Sequence, residues 1–447
     1  MNTPICDFVQ RYVNAQAVRL HMPGHKGRRF VGPEALDITE IPGADALYCA
    51  DGIIEESQKN AASLFGSGKT LYSCEGSSLA VRAMLYLALL ARGDGGSRPV
   101  VLAGRNAHRV FVSAAALLDF DIEWLFSETP GGLLSCAVSA AGLEEKLRAM
   151  PEKPAAVYLT SPDYIGNILD IARLSAVCRR FGVPLLVDNA HGAYLRFLPE
   201  SMHPLGLGAD MCCDSAHKTL PALTGAAYLH ISASAPAVFS QNAMRAMALF
   251  ASTSPSYLIL QSLDRTNAYL AAGYPDRLDR CARRLSGLKS ALRDKGFALW
   301  GDEPLKITVA PKACGYTGTE LAQYLRARRI ECEFADPDCA VFMFTPELTG
   351  AEIDCFEAAM LSLGRRAPIP SAPPVLRRPE RAATVRRAVF APSCVLPAEQ
   401  CLGRVLASEN IACPPAVPVA VAGERLDASA VEALRYYGVS ECRVLAE

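Results

Sequence analysis

The sequence has no surplus of either charge. Lys plus Arg number 45 and Asp plus Glu 46, for a formal net charge of −1. This balance gives no broad attraction to nucleic acid or an anionic membrane, and neither is expected as a partner. No apolar run approaches the ~20 residues that span a bilayer; the longest, such as residues 83–91, read as buried helix. A basic-then-apolar signal pattern is missing from the N-terminus, so a cytoplasmic location is expected. The 16 cysteines include no Cys-x-x-Cys pair, which argues against a zinc site and predicts reduced thiols and no metal. What remains is 447 residues, 51% hydrophobic and 20% charged, enough for a large core and two or three domains.

The first half alternates short apolar runs with helical patterns, the mark of βαβ units and a parallel sheet. Strands are expected at 69–74, 98–103, 155–159, 183–187, 210–214 and 225–231, and helices at 76–92 and 171–181. From about Arg277 the pattern changes. A charged helix at 277–295 leads into strands 305–310 and 341–345 and helices 318–329 and 351–365, a second α+β series. The expected organisation is an N-terminal segment 1–36, a large domain 37–276 and a C-terminal α+β domain 277–447. Residues 367–379 read as an exposed connector, and 413–418 as too rich in proline for regular structure.

Four places carry chemistry. In Val183-Pro-Leu-Leu-Val-Asp-Asn-Ala-His191 an apolar strand ends in Asp188. Ligands bind at the carboxyl ends of such strands, and a carboxylate buried there needs a cationic partner such as a protonated pyridine nitrogen. Alone, Asp188 is as readily a cap on the next turn. In Asp210-Met-Cys-Cys-Asp-Ser-Ala-His-Lys-Thr219 a second short strand precedes Lys218. A desolvated lysine becomes a nucleophile toward aldehydes, and Ser215 and His217 flank it with donors suited to phosphate; the plain alternative is a snorkelling lysine. Gly76-Ser77-Ser78 opens a helix after a strand and offers amides and hydroxyls to a phosphate, although glycine and serine are also ordinary caps. His108 again follows a strand, where an imidazole can stack on a flat ring. The stretch Gly66-Ser-Gly-Lys-Thr70 is a decoy for a nucleotide-binding loop: the glycine that loop requires is replaced by Ser63, and Lys69 begins a strand.

Taken together these segments resemble the Orn/Lys/Arg decarboxylase family, bacterial basic-amino-acid decarboxylases of pyridoxal-phosphate (PLP) fold type I. The likeness runs in order through His21-Met-Pro-Gly-His-Lys-Gly27, Asp37-Ile-Thr-Glu-Ile-Pro-Gly43, Gly52-Ile-Ile-Glu-Glu-Ser-Gln58, Ser215-Ala-His-Lys218, Ser252-Thr-Ser-Pro-Ser-Tyr-Leu258 with Ser262-Leu-Asp264, and Pro414-Pro-Ala-Val-Pro-Val419. It implies a large domain of the aspartate-aminotransferase type with a mostly parallel sheet. It implies that Lys218 holds PLP as a Schiff base and that Asp188 keeps the pyridine nitrogen protonated. Gly76, Ser77, Ser78, Ser215 and His217 would then bind phosphate, His108 would stack on the ring and His191 would lie beside the Schiff base. A homodimer with its active site at the subunit interface is implied too, with Ser252 and Thr253 reaching the partner's cofactor, as is a short form without the N-terminal wing of the longer members. The expected reaction is loss of CO2 from arginine, lysine or ornithine. Rival readings are an aminotransferase or lyase of the same fold and a catalytically impaired regulatory or binding paralogue. The paralogue reading is motivated by departures from the family pattern, Asn189 for Glu, Asp163 for Thr and Gly225 for Gln; Ser78 for Thr and Arg109 for Lys depart from it too.

Overall fold

Runs of apolar residues short enough for a strand are buried on both faces, and these build the centre of the sheet. The computed structural model describes residues 1–93, 95–127, 135–411 and 417–446. In chain order its first seven strands are β1 (Lys69–Ser73), β2 (Val100–Gly104), β3 (Asp121–Leu125), β4 (Ala156–Thr160), β5 (Leu185–Asp188), β6 (Met211–Asp214) and β7 (Ala227–Ile231). Four more follow: β8 (Ala298–Trp300), β9 (Lys306–Ala310), β10 (Phe334–Ala335) and β11 (Ala340–Met343). The chain divides into two units, each made of two separate stretches. The first comprises Met1–Asp94 with Ile171–Arg277, and the second Gly95–Asp170 with Leu278–Glu447.

In the first unit β5 pairs in parallel with β6, in the register Asp188 to Cys213. β7 lies between β6 and β1 and runs antiparallel to both. Every residue of β5, β6 and β7 is buried. Helix Ile171–Phe181 feeds β5. Its Ile171, Leu174, Val177 and Cys178 are buried along one stripe while Arg173, Arg179 and Arg180 stay out in water, as a 3.6-residue period requires. Helix Ser77–Arg92 follows β1 and buries Leu79, Ala80, Val81, Ala83, Met84, Leu85, Leu87 and Ala88. A buried polar knot ties two of the quoted motifs together. Ser57 Oγ donates to Asp264 Oδ1 at 2.6 Å and meets the Tyr72 hydroxyl at 2.7 Å, and Asn267 Nδ2 donates to that hydroxyl at 2.7 Å. A buried carboxylate needs these donors, which accounts for serine and aspartate at those positions. Residues 17–36 form only turns and bends, with Leu20 and Val31 about nine-tenths exposed.

In the second unit β2 pairs in parallel with both β3 and β4. A separate four-stranded antiparallel sheet has the order β10-β11-β9-β8. Strand Ser393–Pro397 pairs with Glu441–Leu445 beside a core of Leu406, Leu426, Leu434 and Val444. The Arg105 guanidinium makes two bonds to the Glu424 carboxylate, at 2.6 and 2.8 Å, with both side chains buried. Two charges removed from water in this way tolerate each other only as a pair. Residues 367–379 carry no helix or strand and are mostly exposed, whereas residues 413–416 of the proline-rich stretch lie outside the described residues. All fifteen described cysteines are free thiols. Among the described residues no helix is long and apolar enough to cross a membrane.

Candidate active site

Two neighbouring strands of the first unit deliver the central pair. Asp188 is the last residue of β5 and is 4% exposed. Its Oδ1 accepts from the Ala190 amide at 3.2 Å and from the Cys213 thiol at 3.5 Å. The backbone then turns sharply, with the Gly192 amide donating to the Asn189 carbonyl at 2.7 Å, and the turn carries His191. Lys218 lies on the helical turn Ala216–Thr219, just past β6. Its Nζ is 3.0 Å from His191 Nε2, within hydrogen-bond distance. The structure therefore brings Lys218 and His191 into contact, with Asp188 buried three residues before that histidine.

The phosphate-type donors come from the same strand ends. Ser215 Oγ donates to Ser77 Oγ at 2.9 Å, so the hydroxyl at the start of the Lys218 turn meets the one at the start of helix Ser77–Arg92. That helix runs for 16 residues, and its first amides are free for an anion. Gly76 precedes it at φ +69°, and its amide donates to the Gly225 carbonyl at 2.8 Å. The Ser73 hydroxyl ties the same turn by donating to the Gly76 carbonyl at 2.8 Å and accepting from the Glu75 amide at 3.1 Å. Ser78 is half-buried beside Ser77. His217 Nδ1 donates to the Ala226 carbonyl at 2.9 Å; burial lowers its pKa, so the ring is neutral and presents Nε2 as an acceptor.

Other expected site residues come from further segments. Ser252 and Thr253 are exposed, and the Ser252 amide donates to Glu75 Oε1 at 2.7 Å, which pins that loop to the turn before Gly76. His108 belongs to the second unit, where it is exposed and its Nδ1 caps helix Arg109–Leu118 by accepting from the Val110 amide at 3.3 Å. Lys69 begins β1 and donates to the Ser240 carbonyl at 3.1 Å, a strand lysine and not the helix-opening lysine of a nucleotide loop.

The departures have local physical reasons. Gly225 has φ +97°, and a Cβ there would stand 2.8 Å from the Cys74 carbonyl oxygen, so this backbone admits no side chain. Gly225→Ala should lose at least about 1–2 kcal/mol of stability from the left-handed backbone alone. Denaturant unfolding of the two proteins checks this, and equal midpoints would count against it. In the second unit, Asp163 closes its own turn: Oδ1 accepts the amides of Ile165 and Asn167 at 3.1 and 2.8 Å, and Oδ2 accepts Asn167 Nδ2 at 2.8 Å. Asn189 donates through Nδ2 to Asp214 Oδ1 at 2.6 Å, in full burial.

That last contact exposes a group that reading the sequence missed. Asp214 ends β6 as Asp188 ends β5, and both residues are buried. Its Oδ2 lies 3.0 Å from His203 Nε2 and 3.4 Å from His230 Nε2. Burial by itself would raise the Asp214 carboxyl's pKa. The attraction and hydrogen bond of His203, with His230 close by, outweigh it and hold the group ionised, well below the usual carboxylate range. The repeated strand-end aspartate was a signal on offer in the sequence. The two histidines gave none, because each is solitary in its segment.

The donor set suits PLP: a lysine amine touching His191, a buried carboxylate three residues before that histidine, and hydroxyls with amides at a helix start. Comparison with known proteins agrees. A family model described as "Orn/Lys/Arg decarboxylase, major domain" matches residues 3–296. An arginine decarboxylase of Bacillus subtilis is 27% identical over 94% of this chain and 91% of its own length. The constitutive lysine decarboxylase of E. coli superposes with a TM-score of 0.79 at 18% identity, covering all of this chain and 82% of its own. A high-resolution structure of SPT with PLP superposes with a TM-score of 0.55 at 16% identity, over 69% of this chain and 75% of that one. The fold is thus that of the PLP fold type I enzymes, and the chain belongs to the Orn/Lys/Arg decarboxylase family.

Proposed function

We propose that the chain is a PLP-dependent decarboxylase of a basic amino acid, with Lys218 as the covalent anchor of the cofactor. The observation that carries this reading is the 3.0 Å contact of Lys218 Nζ with His191 Nε2, one turn from the buried Asp188. When bound, the cofactor supplies an electron sink for the pair left on the substrate's Cα as CO2 departs. Asp188 holds a compensating negative charge where the ring nitrogen must stay protonated. Ser77, Ser78 and Ser215, with the amides that open helix Ser77–Arg92, bind the phosphate; His217, whose Nδ1–H goes to the Ala226 carbonyl, is a donor to it only with a second proton on Nε2. Lys218 and His191, in hydrogen-bond contact, move the proton: one of them supplies the proton that replaces CO2 at Cα. His108 is assigned to the face of the ring. Ser252 and Thr253 are assigned to the partner's site in a homodimer, and the protein acts in the cytoplasm.

Arginine, lysine and ornithine share a distal cation, and the test offers all three. Protein loaded with PLP is incubated with each, evolved CO2 is measured and products are identified by mass. The expected result is one amine formed in step with CO2. A keto acid without CO2 would place the chain among the aminotransferases of the same fold. Absence of PLP uptake would favour the binding or regulatory paralogue.

A further inference from the structure

Asp214, Asn189, His203 and His230 are each fully buried in the first unit. The Asp214 carboxylate is shared between two sets of partners. Oδ2 faces the two imidazoles, while Oδ1 takes the Asn189 amide at 2.6 Å. The imidazoles are themselves fixed: His230 Nδ1 meets Thr70 Oγ1 at 2.8 Å, and the Phe65 ring packs on both, with centroids 4.5 Å from His230 and 5.6 Å from His203. An ionised oxygen accepts and never donates, so the residue at 189 must supply a donor, here the Asn189 amide N–H. A carboxylate at 189 would put two negative charges within hydrogen-bond distance in full burial, where only one of the two groups could be ionised.

The positions of the two residues give the contact its consequence. Asn189 directly follows Asp188 and, through its carbonyl, closes the turn that carries His191. Asp214 directly precedes Ser215, whose carbonyl accepts from the Lys218 amide at 3.1 Å. The Asn189–Asp214 bond thus ties the exit of β5 to the exit of β6. Backbone pairing adds one tie nearby, the Asn189 amide to the Cys213 carbonyl at 3.0 Å.

We infer that Asp214 is a positioning residue, which acts through the Asn189 amide to fix the turn bearing Asp188 and His191 against the turn bearing Ser215 and Lys218. This rests on the proposed role of those residues in holding PLP. The Asn at 189 is then matched to the Asp at 214, and the two should be exchangeable only together.

The test compares wild type, Asn189→Asp, Asp214→Asn and the double exchange N189D/D214N. PLP uptake is read by visible absorbance titration, and melting is measured without PLP. Asn189→Asp should weaken PLP binding at least tenfold and lower the melting temperature. The double exchange restores donor and acceptor across the same contact, and should return both readouts to within about threefold and a few degrees of wild type. If Asn189→Asp does not fold, Asn189→Ala removes the tie without adding charge, and should weaken PLP binding at least threefold. Wild type that takes up no PLP would overturn the proposed function and this inference together. Wild type that binds PLP, with Asn189→Asp binding it equally or the double exchange no better than Asn189→Asp, would overturn this inference alone. Elemental analysis supplies a further check: a stoichiometric metal ion lost in His203→Ala would overturn it in favour of a metal centre at His203, Asp214 and His230.

Discussion

Lys218→Ala is expected to leave no borohydride-reducible PLP adduct and to lower decarboxylation by more than about a hundredfold, the loss of positioned proton transfer alone contributing 10²–10⁴. Loss of the covalent tether adds to this. The first unit has three other lysines, and none can substitute. Lys26 donates to the His21 carbonyl, Lys59 pairs with Glu55 at the surface and Lys69 is bound to the Ser240 carbonyl. Lys218 is half-buried and contributes little to the core, so the variant should fold and melt as wild type does. Mass spectrometry of peptides after borohydride treatment locates the label. A variant still labelled, at any other lysine, would refute the assignment.

Asp188→Asn keeps the shape of the side chain. The Ala190 amide and Cys213 thiol can still donate to the remaining oxygen, so PLP binding should persist within about an order of magnitude. The charge is what disappears. Truncating one partner of a buried charged contact costs 2–5 kcal/mol. If that loss falls on the step that builds charge on the ring, turnover drops by roughly 30- to 5,000-fold. The measurement is kcat at saturating substrate with PLP occupancy checked spectroscopically. Turnover near wild type would remove Asp188 from the ring nitrogen.

The parts of the fold that could be read in advance are those in which one periodicity dominates. Helix Ile171–Phe181 matches the expected 171–181 because its apolar stripe is narrow and Gly182 follows it at φ +60°. β5 was read one or two residues early, since Val183 and Pro184 extend the apolar run and Asp188 breaks it, although the strand keeps Asp188 as its last residue. Strand direction leaves no trace in composition, so the antiparallel placement of β7 was invisible: its Ala-Tyr-Leu-His-Ile is as apolar as a parallel neighbour. Helices Ala237–Phe250 and Tyr257–Ala271 went unread because apolar residues surround much of their circumference and blur the stripe. At the site, Lys218 and Asp188 stand out because each interrupts an apolar context. Asp214 does so equally, but nothing near it in sequence marks what it binds. Its partners His203 and His230 come from the loop before β6 and from β7, and only the folded chain brings them to one carboxylate.

Each unit is assembled from two stretches of chain, the second resuming at Ile171 in one and at Leu278 in the other. On the ribosome, the first unit cannot close until residue 277 has emerged, long after its opening 94 residues have been made. Neither unit can be obtained by cutting the gene once. Contacts so distant in sequence slow folding through the cost of closing long loops. A nascent chain halted between residues 95 and 170 would show the open edge of β1 and the apolar flank of helix Ser77–Arg92, an early need for chaperones that the finished protein no longer has.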